Sequence, residues 1–323
     1  MRRPHRLLLA VLGTASLLGT AACGASGQAA DDDARKLATP VTVDHRFGTT
    51  TIETVPERIV TIDLQWTDVM LSMGVEPVGY SVDTFMPETR VPWQRLPSGA
   101  TALSLTDGVP VEQILALDPD LVVVSFSLTD QETYDLLSAR VPTIAGPPAA
   151  EEVTPWQELV RTAGKILDET DQAEQVVSSV EEKVTATAAE LPGLKDKTFV
   201  LAQYVVGDGI TAVADDADGS SIFFQQLGMT MLPAIRAEGE KAGKARVQLS
   251  TERVDLLRSD LLAFLINGGD ESDLADLPGF GKLPGTVALL DYPTIVGLNT
   301  PSPLSLPYSL TQLRPYLDTA AAA

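Results

Sequence analysis

Ring-bearing side chains are scarce in this chain, at 5% of residues, and several of them, like several arginines, stand just beyond short apolar runs. Trp66, Tyr80, Trp93, Arg95 and Phe126 do so in the first half, accompanied by Gln65, Asp83 and Ser125. Tyr204 and Asn267 follow in the second half, with Asn299 beyond them, and Arg236 and Arg246 are expected on a Gly/Lys/Arg-rich loop before Ser250. Rings cover the apolar scaffold of a bulky guest, and a guanidinium pairs bidentately with carboxylate or catecholate oxygens. The set therefore suits an anionic metal chelate. Each residue also has a plainer reading. Trp66 and Tyr204 fit core positions equally well, Trp93 can simply pin its own loop, and Trp156 lies on a periodic apolar face that reads as core.

Other chemistries lack their residues. Beyond residue 22, His45 is the only histidine and Cys23 the only cysteine, so a His/Cys metal receptor cannot be assembled. The acidic run Asp215-Asp216-Ala217-Asp218-Gly219 would place Ala214 and Gln225 at the first and twelfth ligand positions of a calcium loop, which rules that loop out. No Gly-x-Ser-x-Gly elbow occurs, and Gly281-Lys282 lacks the flanking residues of a nucleotide-binding loop. The expectation is a binder rather than an enzyme, with no cofactor or metal of its own.

Residues 1–22 read as a secretory signal: Arg2, Arg3 and Arg6 precede an apolar run over 7–18 and a small-residue step at Thr20-Ala21-Ala22. Cys23 follows at once, and Ala22-Cys23-Gly24 resembles a bacterial lipobox, with Thr20 where leucine is usual. A lipid on Cys23 would hold the protein on the outer face of the cell membrane. The whole chain carries −21, and loss of the leader leaves 20 basic against 44 acidic side chains, near −24. Such a surface repels nucleic acid and anionic headgroups.

The elements that must position these side chains follow from pattern. Residues 23–40 are small and polar and read as a flexible tether. A first α/β lobe is expected over 41–150, with strands at 58–62, 77–80, 121–124 and 141–144 and helices at 67–73 and 109–117. Over 151–190, apolar residues recur at steps of three and four from Trp156 to Val184 without a proline. That predicts one inter-lobe helix of about 30 residues and roughly 45 Å, with a kinked pair near Gly164 or Asp171 as the other possibility. The alternation restarts over 191–323, with strands at 198–206, 210–213, 261–266 and 286–290. The fold class expected is two Rossmann-like lobes with mainly parallel sheets, each with its own core, joined by one long α-helix. In such sheets guests sit beyond the carboxyl ends of the strands, which is where the residues named above fall.

Several phrases carry a family resemblance. Arg58-Ile59-Val60-Thr61, Thr67-Asp68 and Gly74-Val75-Glu76-Pro77-Val78-Gly79 are similar to the opening of the periplasmic siderophore and cobalamin binding family. The stretch from Glu112 through Pro119-Asp120 to Val124 resembles that family's helix and Pro-Asp step into a strand. Leu249-Ser250-Thr251-Glu252-Arg253-Val254 resembles its Ser-x-Glu helix start. The likeness spans about residues 41–317. It implies a monomeric bilobal receptor with limited hinge motion and a ligand in the cleft, serving an ABC permease whose partner ATPase supplies the energy. It also implies permease docking through one acidic residue per lobe, mapping onto Glu112 and Glu252. The ligand implied is a ferric siderophore, with haem or a corrinoid as the alternative. A non-transport surface lipoprotein is the reading from a different class.

Overall fold

The computed structural model describes residues 35–83, 86, 90–128, 130–148 and 154–323. The leader, Cys23, residues 23–34 of the expected tether and the expected lobe boundary at 150/151 lie outside the described residues. Strand β1 (Lys36–His45) pairs antiparallel with β2 (Gly48–Thr54), so residues 36–40, read from sequence as tether, are already part of a hairpin. Thr50 fastens this hairpin by donating its hydroxyl to the Thr143 carbonyl at 2.7 Å.

The first lobe holds β3 (Ile59–Ile62), α1 (Leu64–Ser72), β4 (Gly79–Val82), β5 (Thr101–Ser104), α2 (Val111–Leu115), β6 (Leu121–Val124), α3 (Gln131–Ser138) and β7 (Thr143–Ile144). Its five strands are all parallel, in the order β5-β4-β3-β6-β7. The run from Leu121 to Val124 is buried at every position because both sheet faces are covered. Leu121 and Val123 face one core, while Val122 and Val124 face the other. The strand order reverses between β3 and β6, the switch point where ligands gather in open α/β sheets.

The expected single long helix is two helices. Helix α4 (Trp156–Ile166) ends, and α5 (Thr170–Glu190) folds back along it. Gln157 Nε2 donates to Glu181 at 3.1 Å and Arg161 Nε to Glu174 at 2.8 Å, contacts that only an antiparallel pair can make. The reversal runs through Asp168 in a left-handed conformation, φ 58°, and is closed by the Glu169 amide on the Gly164 carbonyl at 2.7 Å. A Cβ on Gly164 would lie 2.4 Å from that of Ala173, so the close approach of the two helices requires glycine there. Helix α5 alone, 21 residues and about 31 Å at the usual rise, reaches from one lobe to the other. Gln172 bonds the Met73 carbonyl of the first lobe, and Glu190 pairs with Arg314 of the second at 2.6 Å.

The second lobe contains β8 (Thr198–Val205), β9 (Gly209–Val213), α6 (Gly219–Gln226), β10 (Thr230–Met231), α7 (Pro233–Ala242), β11 (Arg246–Leu249), β12 (Leu261–Asn267), β13 (Thr286–Leu289), α8 (Tyr292–Asn299) and α9 (Ser305–Ala322). Its sheet runs β11-β9-β8-β12-β13, with β10 on β8. Strand β9 runs antiparallel to both neighbours, so this sheet is mixed where a mainly parallel one was expected. Gly207, at φ 81°, turns the chain from β8 back into β9.

Separate cores were expected, and the structure departs from that. One apolar core runs continuously from Ile59, Trp66 and Leu121 through Leu159, Val160, Val177 and Val180 of the helical pair into Phe199, Phe264 and Leu313 of the second lobe. The two helices act as a shared packing layer rather than a strut holding two bodies apart.

Candidate functional site

Where β3 meets β6, the side chain of Asp63 organises the switch point. Its carboxylate accepts the Ser125 amide, the Phe126 amide at 2.8 Å and the Ser127 hydroxyl. Burial pushes the Asp63 carboxyl above the usual carboxylate range, and these donors oppose that push. Asp63 itself sits at φ 86° and ψ 147°, outside the regions that residues other than glycine ordinarily occupy. The loop held in this way presents Phe126 at 40% exposure, one of few large apolar side chains so open among the described residues.

Beside this loop lies a cavity of about 620 Å³ with walls from both lobes. The first lobe supplies Asp44 of β1, the edge of Trp66, Ser125, and the turn after β7 through Gly146 and Pro147. The start of α4 forms the floor with Glu158 and Leu159, and the loop before α6 closes the far side with Asp215 and Asp218. An apolar recess adjoins it where Ile222 and Phe223 of α6 approach Pro155 and Pro301.

The seam between the lobes is polar and well bonded. Gln65 Nε2 donates to the Pro301 carbonyl at 2.8 Å. Asp68, fully buried on α1, accepts from Trp93 Nε1 at 2.9 Å, from Gln94 and from the Ser302 hydroxyl. The Tyr292 hydroxyl donates to Asp83 at 3.1 Å. Burial and the neighbouring carboxylate push that phenol up to about 12, so it stays a donor.

The residues nominated from sequence are dispersed relative to this geometry. Trp66 lines the cavity but is only 2% exposed and belongs chiefly to the core. Tyr204, also 2% exposed, is core within β8, which corrects its nomination as a ligand contact. Trp93 spans the seam, its ring 5.1 Å from that of Tyr308. Tyr80 is half-buried within β4, and Arg95 is exposed on the loop beyond it. Asn267 ends β12 beside a separate hollow of about 600 Å³ at the carboxyl ends of β12 and β13.

Arg236 and Arg246, expected on a loop, stand on α7 and β11, and both are engaged. Arg236 Nε lies 2.6 Å from Asp216, and Arg246 Nη2 lies 3.2 Å from Asp218. Residues 215–218 therefore have local work: Asp218 caps α6 through the Ser220 amide at 2.9 Å, and Asp215 accepts the Ala217 amide. Among the described residues no group of three or more His, Cys, Asp or Glu is placed to hold a metal ion.

Sequence reasoning passed over Asp63, Asp68, Asp44 and Glu158. For Asp63 a signal existed, since an acidic residue directly follows a strand at the expected switch point. The others depend on contacts made across the fold. Glu112 is exposed in the first turn of α2. Glu252 is exposed on a short 3₁₀ turn (Thr251–Leu257) whose Ser250 cap accepts the Glu252 amide at 3.3 Å, where a regular helix start was expected.

Residues 59–272 match the periplasmic binding protein family model, and the chain belongs to that family. It is 24% identical over 259 residues to the probable siderophore-binding lipoprotein YfiY of Bacillus subtilis, covering 78% of this chain and 76% of that one. Among solved structures, a periplasmic solute binding protein from Mycobacterium smegmatis superposes with a TM-score of 0.72 at 27% identity, over 87% of this chain and 99% of the other. PiaA of Streptococcus pneumoniae in complex with ferrichrome gives 0.72 at 23% identity, with the same coverage, a likeness of fold.

Proposed function

We propose that the protein is the extracytoplasmic receptor of an ABC importer, receiving a ferric siderophore in the cavity between its lobes and delivering it to a membrane permease driven by a partner ATPase. The observation that carries this reading is the cavity of about 620 Å³, walled by both lobes at the switch point of a periplasmic binding protein fold. A relative over most of the chain, YfiY, is a probable siderophore-binding lipoprotein, and the fold itself accommodates ferrichrome in PiaA. Iron arrives as cargo inside its chelator, so the receptor needs shape and polarity rather than metal ligands. Ser125 and Trp66 line that space, and Phe126, exposed on the loop, directly follows Ser125.

Attachment follows from Ala22-Cys23-Gly24, with the lipid on Cys23 and the acidic folded body held off the membrane. Glu112 and Glu252, exposed one on each lobe, serve as the docking carboxylates for basic residues of the permease. Titration of intrinsic tryptophan fluorescence against a panel of chelates tests the reading. Ferric siderophores should quench while their iron-free forms, haem and corrinoids do not. Silence toward every ferric chelate would remove the reading.

A further inference from the structure

Selection by charge is built into the cavity walls. Four carboxylates line the space, those of Asp44, Glu158, Asp215 and Asp218, and no lysine or arginine does so among the described residues. The guanidiniums that might reverse this sign are committed elsewhere. Arg236 is held by Asp216, and Arg161, on α4 near Glu158, is held by Glu174 at 2.8 Å. The Arg46 amide bonds the Gly146 carbonyl at the cavity wall, yet its guanidinium stands 5.8 Å from the centre of the Phe47 ring, which stacks on Tyr134 at the other core. Among the described residues Arg246 pairs with one lining carboxylate, that of Asp218, and Arg161 acts at longer range on a second, that of Glu158, which leaves Asp44 and Asp215 without such an offset. The wall thus keeps a negative excess, within a body near −24 after loss of the leader. In a concave, partly desolvated cleft the fields of like charges add rather than cancel.

Resting on the siderophore reading above, we propose that this cavity admits ferric chelates of zero or positive net charge, the trishydroxamate class, and discriminates against carboxylate and catecholate chelates. Three hydroxamates neutralise ferric iron and leave an amide and methylene surface, which the accessible apolar lining residues Val43, Pro147, Pro148 and Pro155 can cover. Three catecholates leave a net charge of about −3, which would enter a field of its own sign. The sequence-based expectation of arginines meeting an anionic chelate is replaced by this one, because those arginines already have acidic partners.

Tryptophan quenching of the folded protein with four probes tests the proposal: neutral ferrichrome, cationic ferrioxamine B, ferric enterobactin and ferric dicitrate. The hydroxamates should bind about tenfold or more tightly than the anionic complexes at low ionic strength, with the gap narrowing as salt is added. The double variant Glu158→Gln/Asp215→Asn should narrow the gap without salt, chiefly by strengthening the anionic complexes. Equal or tighter binding of the anionic complexes overturns the charge selection while leaving the siderophore reading intact. A gap unchanged in the double variant overturns its assignment to these carboxylates. No quenching by any ferric chelate overturns the siderophore reading and this inference together.

Discussion

The Ser302 hydroxyl donates to the Asp68 carboxylate across 234 positions of sequence, and this bond helps hold the two lobes at a fixed angle. Trp93 and Gln94 donate to the same carboxylate. Together with Gln65 on Pro301 and Tyr292 on Asp83, it fastens the seam between the lobes.

Asp68 should give the protein a distinct pH signature. Burial raises its carboxyl from 3.8 to about 6. The folded state therefore keeps this proton to a higher pH than the unfolded chain does. The resulting stability is full below about pH 4 and is lost as pH rises through 6. Relative to Asp68→Asn, the wild type should lose up to about 3 kcal/mol between those limits. Urea midpoints across that range measure it, and a pH-independent difference contradicts the raised value.

Asp63→Ala leaves two backbone amides and a hydroxyl without their acceptor. A loss of about 2–4 kcal/mol is expected, together with faster hydrogen exchange at Ser125 and Phe126 and weaker ligand binding. Asp63→Asn keeps one acceptor oxygen for these donors, so its loss should be smaller. Equal losses in the two variants would show that the carboxylate does not organise this loop.

Gly164→Ala should destabilise despite alanine's better helix propensity, since the added methyl would meet Ala173 at 2.4 Å. About 1–3 kcal/mol is expected from overpacking. Adding Ala173→Gly restores the space and should recover part of the loss, a coupling that a double-mutant cycle reads directly. Strictly additive effects would mean that the two helices do not meet at this point.

Reversing the charge at Glu112 and Glu252 together should impair uptake by whole cells while leaving chelate affinity within about twofold, because neither residue lines the cavity. A fall in affinity measured on the purified protein would place them in the binding site instead.

Cys23→Ser should move the protein from the membrane to the soluble fraction, since no helix among the described residues is long and apolar enough to cross a bilayer. Retention at the membrane would refute the lipid attachment.

The sequence alone located β3, β6, β8 and β12 closely, because a strand buried on both faces must be a short unbroken apolar run whatever surrounds it. It also carried the family resemblance through Arg58-Ile59-Val60 and Pro119-Asp120, where turn chemistry and strand onset are local. The return of α5 along α4 was not legible: steps of three and four continue through the bend because both helices face the same core. A break near Gly164 or Asp171 was the other possibility offered by the sequence, and the bend falls between them, at Asp168, with Gly164 accepting the closing amide bond and giving the helices room. The partners of Arg236 and Arg246, the burial of Tyr204 and the placing of Asp44 and Asp218 on walls of one cavity were likewise decided only in the folded chain. A side chain's neighbours across the fold come from non-local packing, and the sign of the cleft depends on which charges that packing leaves unpaired.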